Sequence, residues 1–453
     1  MKKIITVILI GYMLWPIRSS AQKNYSATID KYMEAQANIK EFSGSVLVAV
    51  NGSIIYKKAF GYADREWKIS NTVDSKFEIG SLTKQFTAAA ILKLAEQHQL
   101  NLSDKLSAYF PGYPKGDVVT LQMLLNHTSG IADYTELPRF YALHTLPLVR
   151  DSVIAIFKDQ PYTFQPGSKW KYSNSGYFLL GCIVEKVSKQ PYEKFIKENL
   201  LDKVPLANTT VNRTDAILAF RAKGYTLSEK GSWRNAEYFS MEIPFSAGAL
   251  ISTVQDLYDW ENALLKGNII SKESLSQMTT PYLNHYGYGL SIDSVENHKR
   301  VSHSGAIPGF TSFLGIFPAD NISIVILSND EGNVGVIADA LTSIVFGRPV
   351  EMPYIPKEAT IDYTVLKKYG GKYQIAQAAG NTNFELVEDN NKLYLKPDAS
   401  RDFKMELKPE SETKFFLARD HDQEIEFVLD LKGNIIKCYF INKGQKLEIK
   451  RLG

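Results

Sequence analysis

Hydrophobic and polar positions change their spacing several times along the chain. Near the start, YSATIDKYMEAQANI has apolar residues at helical spacing, and SGSVLVAVNGSIIYKKAFGYAD has two strand-like runs around Asn51-Gly52. An Asn-Gly pair between two such runs is the strongest short signal for a β-hairpin. Residues 78–92, EIGSLTKQFTAAAIL, are predicted to form a buried helix, because the part FTAAAIL is apolar nearly all round.

Strand patterns occur at both ends of the first three quarters of the chain. Residues 100–280 read as mostly helical, with loops rich in Pro, Gly and Asn, before strand signals return in RVSHSGAIPGFTSFLGIFPADNISIVILSN. There, Pro308-Gly309 and residues 318–321 separate three β-rich runs. A chain that leaves a sheet and returns to complete it predicts an α/β fold, and tight turns between sequential strands make the sheet antiparallel.

The C-terminal quarter has a different pattern. Residues 346–360, FGRPVEMPYIPKEAT, contain three prolines and are predicted to be a linker. Residues 361–453 consist of short alternating runs, which predict a small all-β domain, barrel-like or a sandwich. Its size leaves little room for a cavity, so a packing or lid-like accessory is favoured over a ligand-binding barrel. Turns are predicted at three pairs: Asn390-Asn391, Gly433-Asn434 and Lys443-Gly444.

The first 21 residues have the pattern of a secretory signal peptide. They contain two lysines, an apolar run at residues 4–15 and small residues at Ser19 and Ala21, which predicts cleavage after Ala21. The apolar run is too short to span a bilayer comfortably. We therefore expect an exported protein, periplasmic or secreted, with no membrane span after cleavage and a first domain at residues 22–345. A retained N-terminal anchor is the alternative.

Composition and charge restrict the partners. The chain has 453 residues, 44% of them hydrophobic, which is enough for two domains. Three of the 52 basic residues lie in the predicted signal peptide, so 49 basic residues face 49 acidic ones after cleavage. This balance favours neither nucleic acid nor an anionic membrane surface as a partner. A small-molecule or short-peptide substrate is expected, and the oligomeric state stays open.

The cysteines and histidines give no sign of a metal or another cofactor. Cys182 and Cys438 are the only cysteines; an interdomain disulfide is one alternative, and the apolar setting YFLLGCIVEKV favours a buried thiol. The histidines outside His303 show no His-Glu-x-x-His or paired ligand spacing, so we expect no catalytic metal. His127, in NHTSG, is expected to pack a loop.

A Ser-x-x-Lys tetrad begins the predicted helix at residues 78–92. The same spacing occurs at Ser20, Ser81, Ser168 and Ser411. Of these four serines, only Ser81 both follows a glycine and begins a long apolar helix. Positions i and i+3 share a helix face, so Lys84 can reach the Ser81 hydroxyl. Free N–H groups and the helix dipole at the helix start suit a developing oxyanion.

Burial of this helix would change the chemistry of its lysine. A buried lysine either titrates low or hydrogen-bonds within the site, and both states suit Lys84 to proton transfer with Ser81. In the alternative, Ser81 only caps the helix and Lys84 extends to solvent. The tetrad by itself does not decide between them, so further residues are needed.

Two further segments supply possible partners. One is WKYSNSGYFLLG, which contains Tyr172 and Asn174. A nearby lysine ammonium favours the ionised form of a phenol, so Tyr172 is usable as a base and an acid. The Asn174 amide can hold a substrate carbonyl or the lysine. His303-Ser304-Gly305 is predicted on the first strand of the late sheet. A glycine there lets a substrate backbone lie against an edge strand.

The N–H group of Ala306 could then join that of Ser81 in an oxyanion hole. GSLTKQF, YSNSGYFLLG and HSGAIPGF, in this order, resemble the three motifs of the serine penicillin-recognising family, and the resemblance covers roughly residues 30–345. That family includes class C β-lactamases, DD-peptidases and related esterases and D-amino-acid-specific peptidases. The resemblance implies an antiparallel sheet flanked by helices, beside a mostly helical subdomain, with the site in the cleft.

The resemblance also implies acyl-enzyme chemistry. Ser81 would be the nucleophile, Lys84 and Tyr172 would share the general-base role, and Tyr172, helped by His303, would protonate the leaving group. Class C β-lactamases carry Lys-Thr-Gly where this chain has His-Ser-Gly, and histidine, with a reference pKa of about 6.5, is largely neutral at pH 7. We therefore expect DD-peptidase-like or esterase-like activity on D-amino-acid peptides or esters; the alternatives are a β-lactamase and a non-hydrolytic protein that binds cell-wall peptides.

Overall fold

The helices surround one large sheet and form most of the middle of the chain. The computed structural model describes residues 25–39, 42–213, 215–228, 232–375, 382–398, 403–418, 420–442 and 445–452, so the predicted signal peptide lies outside the described residues. The α-helices are α1 (Tyr25–Ile39), α2 (Thr83–Glu96), α3 (Leu106–Tyr109), α4 (Leu121–Leu125), α5 (Pro138–Leu143), α6 (Arg150–Phe157), α7 (Asn174–Ser188), α8 (Tyr192–Asn199), α9 (Phe245–Gly248), α10 (Val254–Leu265), α11 (Lys272–Met278) and α12 (Val334–Val345). Short 3₁₀ helices cover Gly80–Leu82, Tyr134–Glu136, Leu201–Lys203, Leu283–His285 and Tyr363–Tyr369.

The central sheet is antiparallel and contains both ends of the first domain, as predicted. Its strand order is β10-β11-β12-β13-β1-β2, and Asn51-Gly52 forms the turn between the last two strands. The strands of the first 345 residues are β1 (Gly44–Val50), β2 (Ser53–Phe60), β3 (Tyr62–Asp64), β4 (Ile69–Ser70), β5 (Phe77–Glu78), β6 (Thr210–Val211), β7 (Tyr225–Leu227), β8 (Trp233–Asn235), β9 (Leu250–Ser252), β10 (Ser291–Val295), β11 (His298–Ile307), β12 (Phe310–Phe317) and β13 (Ile322–Ser328).

One expectation about strands was wrong. The strand that carries His303, β11, is not the first of the late sheet, because β10 precedes it and pairs with it. The polar sequence of β10, SIDSV, gives a weak strand signal, and its pairing with β11 stabilises it. The mostly helical region also contains short strands, β6 to β9, of which β9 pairs with β5 and β6.

Helices cover both faces of the central sheet. On β13, Ile324 and Ile326 belong to a buried cluster that includes residues of α1 and α12. The intervening Val325 and Leu327 belong to the other main cluster, with residues of α2 and α10. Both faces of this strand are therefore buried, which explains why its sequence is a continuous apolar run rather than an alternating one.

The C-terminal region is a closed antiparallel barrel, which confirms the predicted small β domain. Its interior is filled by side chains: Tyr369, from the 3₁₀ helix before the first strand, stacks on Phe427 with the ring centroids 4.1 Å apart. Turns fall at Asn390-Asn391 and Gly433-Asn434 as predicted, whereas Lys443-Gly444 lies outside the described residues. The strands are β14 (Gly371–Ile375), β15 (Thr382–Asp389), β16 (Lys392–Pro397), β17 (Met405–Pro409), β18 (Lys414–Leu417), β19 (Asp420–Leu429), β20 (Ile435–Asn442) and β21 (Gln445–Leu452).

The connection between α12 and the barrel contains no helix or strand from residue 346 to residue 362. It is nevertheless attached to the barrel: the Tyr354 hydroxyl lies 3.0 Å from Glu410, and the Ala359 N–H donates to the Pro409 carbonyl at 2.8 Å. The division at residues 346–360 remains a prediction.

The two cysteines are free and buried rather than paired. Burial raises the pKa of the Cys182 thiol to about 12, which makes it inert as a nucleophile. Among the described residues, no helix combines the length and the apolar character needed to cross a bilayer.

Candidate active site

A cleft of about 560 Å³ contains most of the residues singled out from the sequence. Its walls come from the start of the Ser81 segment, the loop before α7, the turn before β10, strands β11 and β12, and the start of α12. The lining residues are Ser81, Trp170, Tyr172, Asn284, Tyr286, Ser291, His303, Ser304, Gly305, Ala306, Thr311, Gly332, Asn333, Val334 and Gly335.

Ser81 does not begin an α-helix as predicted; it lies in a 3₁₀ turn, Gly80–Leu82, and α2 begins at Thr83. Gly80 has φ +50°, and a Cβ at that position would lie 2.8 Å from the Ala306 nitrogen. Only glycine combines this left-handed conformation with so close an approach to β11. The turn thereby presents Ser81 to the cleft and keeps its backbone beside the strand.

The Lys84 side chain has three polar neighbours. Its Nζ lies 2.9 Å from Ser81 Oγ, 2.8 Å from Asn174 Oδ1 and 2.8 Å from the Ala247 carbonyl. An amide oxygen and a carbonyl oxygen can only accept hydrogen bonds, so they take two N–H groups of the amine. When Lys84 is neutral, its remaining lone pair can face the Ser81 hydroxyl and accept its proton.

Burial makes the neutral form of Lys84 accessible. Lys84 is completely inaccessible to solvent, and this burial lowers its pKa to about 7, against a smaller opposing effect from the Asp133 carboxylate. The two states expected for a buried Lys84, a lowered pKa and hydrogen bonds within the site, therefore both occur. The alternative in which Lys84 extends to solvent is excluded by its position.

Asp133, which the sequence gave no reason to single out, orients the Asn174 amide. Its Oδ2 accepts from the Asn174 backbone N–H at 3.2 Å and from the side-chain Nδ2 at 3.0 Å. Because the NH₂ group is committed to the carboxylate, the amide oxygen is directed at Lys84. Asp133 lies in a loop 41 positions before Asn174, and no local pattern marks it.

Replacing Asp133 with asparagine tests this orienting role. We expect kcat/KM to fall roughly tenfold, and the acid limb of its pH profile to move to lower pH, because a negative charge that raises the pKa of Lys84 is removed. Asp151→Asn, at an exposed position on α6, is the matched control. An unmoved limb in Asp133→Asn would contradict the electrostatic part of this role.

The Tyr172 ring lies beside Lys84, with Nζ 4.8 Å from the ring centroid. Burial raises the pKa of Tyr172 above its usual range, and a hydrogen bond with Ser81 only partly opposes the shift. The expected ionised phenol is therefore not supported, because desolvation and the nearby Asp133 carboxylate both favour the protonated form. At neutral pH Tyr172 keeps its proton and suits the role of an acid better than that of a base.

His303 is held in one neutral tautomer. Its Nδ1 lies 2.6 Å from the Ser304 carbonyl, which can only accept, so Nδ1 carries the proton. Nε2 then accepts from the Tyr286 hydroxyl at 2.8 Å. Burial, together with the nearby Lys84, lowers the pKa of His303 to about 4. Both ring nitrogens are therefore engaged in hydrogen bonds within the protein.

The part of β11 beside Ser81 has an open edge among the described residues. Strand β10 pairs only with residues 298–302 of β11, so residues 303–307 have a partner on one side, β12. A Cβ at Gly305 would lie 2.1 Å from the Ile79 carbonyl and 3.0 Å from the Ser81 nitrogen. This close approach, possible only for glycine, puts the backbones of Ser81 and Ala306 on one wall.

His127 and Tyr286 pack around Tyr172 and complete the site. His127 packs as a loop residue, as expected, with its ring centroid 4.3 Å from that of Tyr172 and 4.6 Å from that of Tyr286. Its Nδ1 accepts from the Ser173 N–H at 3.2 Å, which fixes the segment that carries Tyr172. Tyr286 shows no motif of its own; its role emerges only from its contact with His303.

The described residues hold no cluster of three or more His, Cys, Asp or Glu side chains arranged for a metal ion. The sequence profile of the beta-lactamase family matches residues 27–345, which is well over half of the chain. The chain belongs to the beta-lactamase family. The three motifs in the cleft thus lie within the matched region, as the resemblance implied.

Two penicillin-binding relatives match nearly the whole chain, and a third relative matches 70% of it. Penicillin-binding protein 4* of Bacillus subtilis is 32% identical over 438 residues, 90% of this chain and 95% of that protein. The octameric penicillin-binding protein homologue of Pyrococcus abyssi aligns with a TM-score of 0.66 at 28% identity, over 95% of this chain and 100% of that one. A D-stereospecific amidohydrolase from Streptomyces aligns with a TM-score of 0.62 at 26% identity, over 70% of this chain and 98% of that one.

These similarities support a serine hydrolase of the acyl-enzyme type in general terms.

Proposed function

We propose that the protein is an exported serine hydrolase that forms an acyl-enzyme on Ser81 and cleaves peptides or esters of D-amino acids. The observation that carries the proposal is the environment of Lys84, a fully buried amine with a pKa of about 7 whose Nζ lies 2.9 Å from Ser81 Oγ. A base poised near neutral pH beside a hydroxyl is what nucleophilic catalysis by serine requires.

The mechanism follows from the contacts in the cleft. Lys84 accepts the Ser81 proton as Oγ attacks the substrate carbonyl carbon, and the N–H groups of Ser81 and Ala306 stabilise the oxyanion. The bond to the leaving group breaks as Tyr172 donates its proton to the leaving atom, and protonated Lys84 restores that proton. Water then attacks the carbonyl carbon of the ester on Ser81 with Lys84 again as base. Lys84 returns the proton to Ser81 Oγ as the bond from Oγ to the acyl carbon breaks, which releases the acid and the free serine.

Several observations support D-amino-acid peptides or esters over the alternatives. The open edge of β11 suits an extended substrate backbone, and a structural relative is a D-stereospecific amidohydrolase. A β-lactamase remains the second candidate because of the family match. A protein that only binds cell-wall peptides has no need of a buried amine beside a serine, so we place that alternative last.

Export is part of the proposal. The first 21 residues have the composition and the order of charged, apolar and small residues that a signal peptide has, and this supports export. In the proposed organisation, residues 22–345 form the hydrolase domain, residues 346–360 the linker and residues 361–453 an accessory barrel.

Intact mass spectrometry tests the proposal. Protein from Gln22 onward is mixed with an N-acyl-D-alanyl 4-nitrophenyl ester and, separately, with benzylpenicillin, and the adduct mass and the released products are followed over time. We expect turnover of the ester through a transient adduct that Ser81→Ala does not form. Ester turnover that persists in Ser81→Ala, or its absence in folded wild-type protein, would reject the proposal; rapid turnover of penicillin would favour the β-lactamase.

A further inference from the structure

The cleft is lined without a single ionisable carboxylate, ammonium or guanidinium side chain among the described residues. Its polar groups are hydroxyls, amides, backbone groups and the His303 ring. The one basic side chain in contact with Ser81 is Lys84, which lies beneath the cleft wall and is committed to Ser81, Asn174 and Ala247. Among the side chains that the structure describes, a substrate in the cleft therefore meets no fixed cation.

His303 cannot take the place of that cation. Its proton is on Nδ1, which donates a hydrogen bond to the Ser304 carbonyl, and its Nε2 accepts a hydrogen bond from the Tyr286 hydroxyl. To bind an anion it would have to gain a second proton and give up the bond from Tyr286. Burial of the His303 ring and the positive charge that the nearby Lys84 can carry both oppose that protonation.

The start of α12 forms the opposite wall and is the remaining possible source of positive potential. Two of the backbone N–H groups near this helix start already donate hydrogen bonds within the protein, so they are not free to bind an anion. The Gly332 N–H donates to Asp330 Oδ1 at 2.8 Å, and the Asn333 side chain accepts from the Val336 N–H at 3.3 Å. Asp330 and Glu331 lie four and three positions before the first residue of α12, so two acidic side chains are close enough to offset the positive end of its dipole.

Because the lining described above contains no cation, substrates are distinguished by where they carry a negative charge. In a peptide that is cleaved at its last bond, a single carbon separates the scissile nitrogen from the free carboxylate. That carboxylate must therefore enter the cleft with the scissile bond, and transfer of a charge from water to an unpaired site is costly. A substrate that is an amide, an ester with a neutral alcohol as leaving group, or a peptide that continues past the scissile bond avoids this cost.

We propose, building on the acyl-enzyme function proposed above, that the cleft selects substrates whose leaving group carries no negative charge next to the scissile bond. The substrate class is then esters, amides and internal peptide bonds of D-amino acids rather than C-terminal dipeptides with a free carboxylate. The wall formed by His303, Ser304 and Asn333 sets this preference.

A pair of thioesters tests the preference independently of the acyl group. Both carry the same N-acetyl-D-alanyl group; one releases thioglycolamide and the other thioglycolate, whose carboxylate is one carbon from the sulfur. Thiol release gives kcat/KM for each. We expect the neutral compound to be preferred by about tenfold or more, after correction for the hydroxide-catalysed rates of the two compounds.

Variants that introduce a cation separate selection by charge from intrinsic reactivity. Ser304 is exposed and lines the cleft, so Ser304→Lys adds a positive charge without burying it, and Ser304→Gln is the matched neutral variant. Relative to Ser304→Gln, Ser304→Lys should shift the ratio of the two kcat/KM values toward thioglycolate by about fivefold or more. His303→Lys, compared with His303→Gln, repeats the test at the buried position.

The outcomes separate this inference from the function on which it rests. If wild-type protein hydrolyses neither thioester faster than Ser81→Ala does, the proposed function fails, and the inference fails with it. If both are hydrolysed and the corrected ratio is near one or favours thioglycolate, the function stands and the inference is overturned. A corrected preference for the neutral compound that neither lysine variant reduces would also overturn the inference, because charge would not be its cause.

Discussion

Replacing Ser81 with alanine is expected to reduce turnover of an activated D-alanyl ester at least about a thousandfold. The change removes the Ser81 hydroxyl, which lines the cleft and contacts Lys84 Nζ. The other two partners of the lysine, the Asn174 amide and the Ala247 carbonyl, stay in place. The oxyanion donors and the binding surface also remain, so some catalysis above the rate in water should survive. Steady-state kinetics with the purified variant measures the loss.

The chain offers a control with the same tetrad. Ser168 also stands three positions before a lysine, but its hydroxyl donates to the Gln165 carbonyl, and Lys171 pairs with Glu136 at 2.6 Å. Ser168→Ala should retain close to wild-type turnover. If Ser81→Ala kept more than a few per cent of wild-type activity, or if both variants lost activity equally, Ser81 would not be the nucleophile.

Replacing Lys84 with methionine should cause a loss of similar size, because methionine fills the buried space and provides no base. In wild-type protein, kcat/KM should rise with pH through about pH 7, as Lys84 loses its proton and its lone pair becomes available to Ser81. A pH profile of wild-type kcat/KM checks the second point. A flat profile between pH 6 and pH 8 would contradict the assignment of Lys84 as the base.

The same variant has a second, separate signature in stability. In the unfolded chain Lys84 is protonated up to pH about 10.4, whereas in the folded chain its pKa is about 7. Between these values the unfolded state binds more protons, so the stability of the wild-type protein rises with pH, while that of Lys84→Met lacks this contribution.

We therefore expect the free energy of unfolding of wild-type protein to gain about 3 kcal/mol relative to Lys84→Met as the pH rises from 7 to 10. Chemical unfolding of both proteins at several pH values measures the difference. Only the change of this difference with pH matters, because the constant effects of the substitution cancel. A difference that stays constant with pH would show that Lys84 titrates normally in the folded protein.

Sequence patterns were reliable where neighbouring residues fix the structure. The hairpin at Asn51-Gly52, the first helix and the turns at Asn390-Asn391 and Gly433-Asn434 depend on contacts within a few residues, and all were predicted. Strand β10 was missed because its sequence is polar and its stability comes from pairing with β11. The short strands of the mostly helical region were missed for a related reason, since each is only two or three residues long.

The functional residues divide in the same way. Ser81, Lys84, Tyr172, Asn174 and the His303 segment were found because each belongs to a short motif, and the structure brings them to one cleft or its floor. The protonation state of Tyr172 was not predicted correctly. The ionised phenol expected for Tyr172 fails because burial, which no motif encodes, dominates its titration.

By itself, the sequence determined which residue types stand at which local spacing: the tetrad at Ser81, the glycine before it, the antiparallel hairpins and the β-rich C-terminal region. The tertiary structure alone decided what those residues can do. Lys84 meets Asn174 from 90 positions away and the Ala247 carbonyl from 163 positions away. Desolvation and charge act through space, so the pKa of an amine depends on the packing around it and not on its neighbours in the chain.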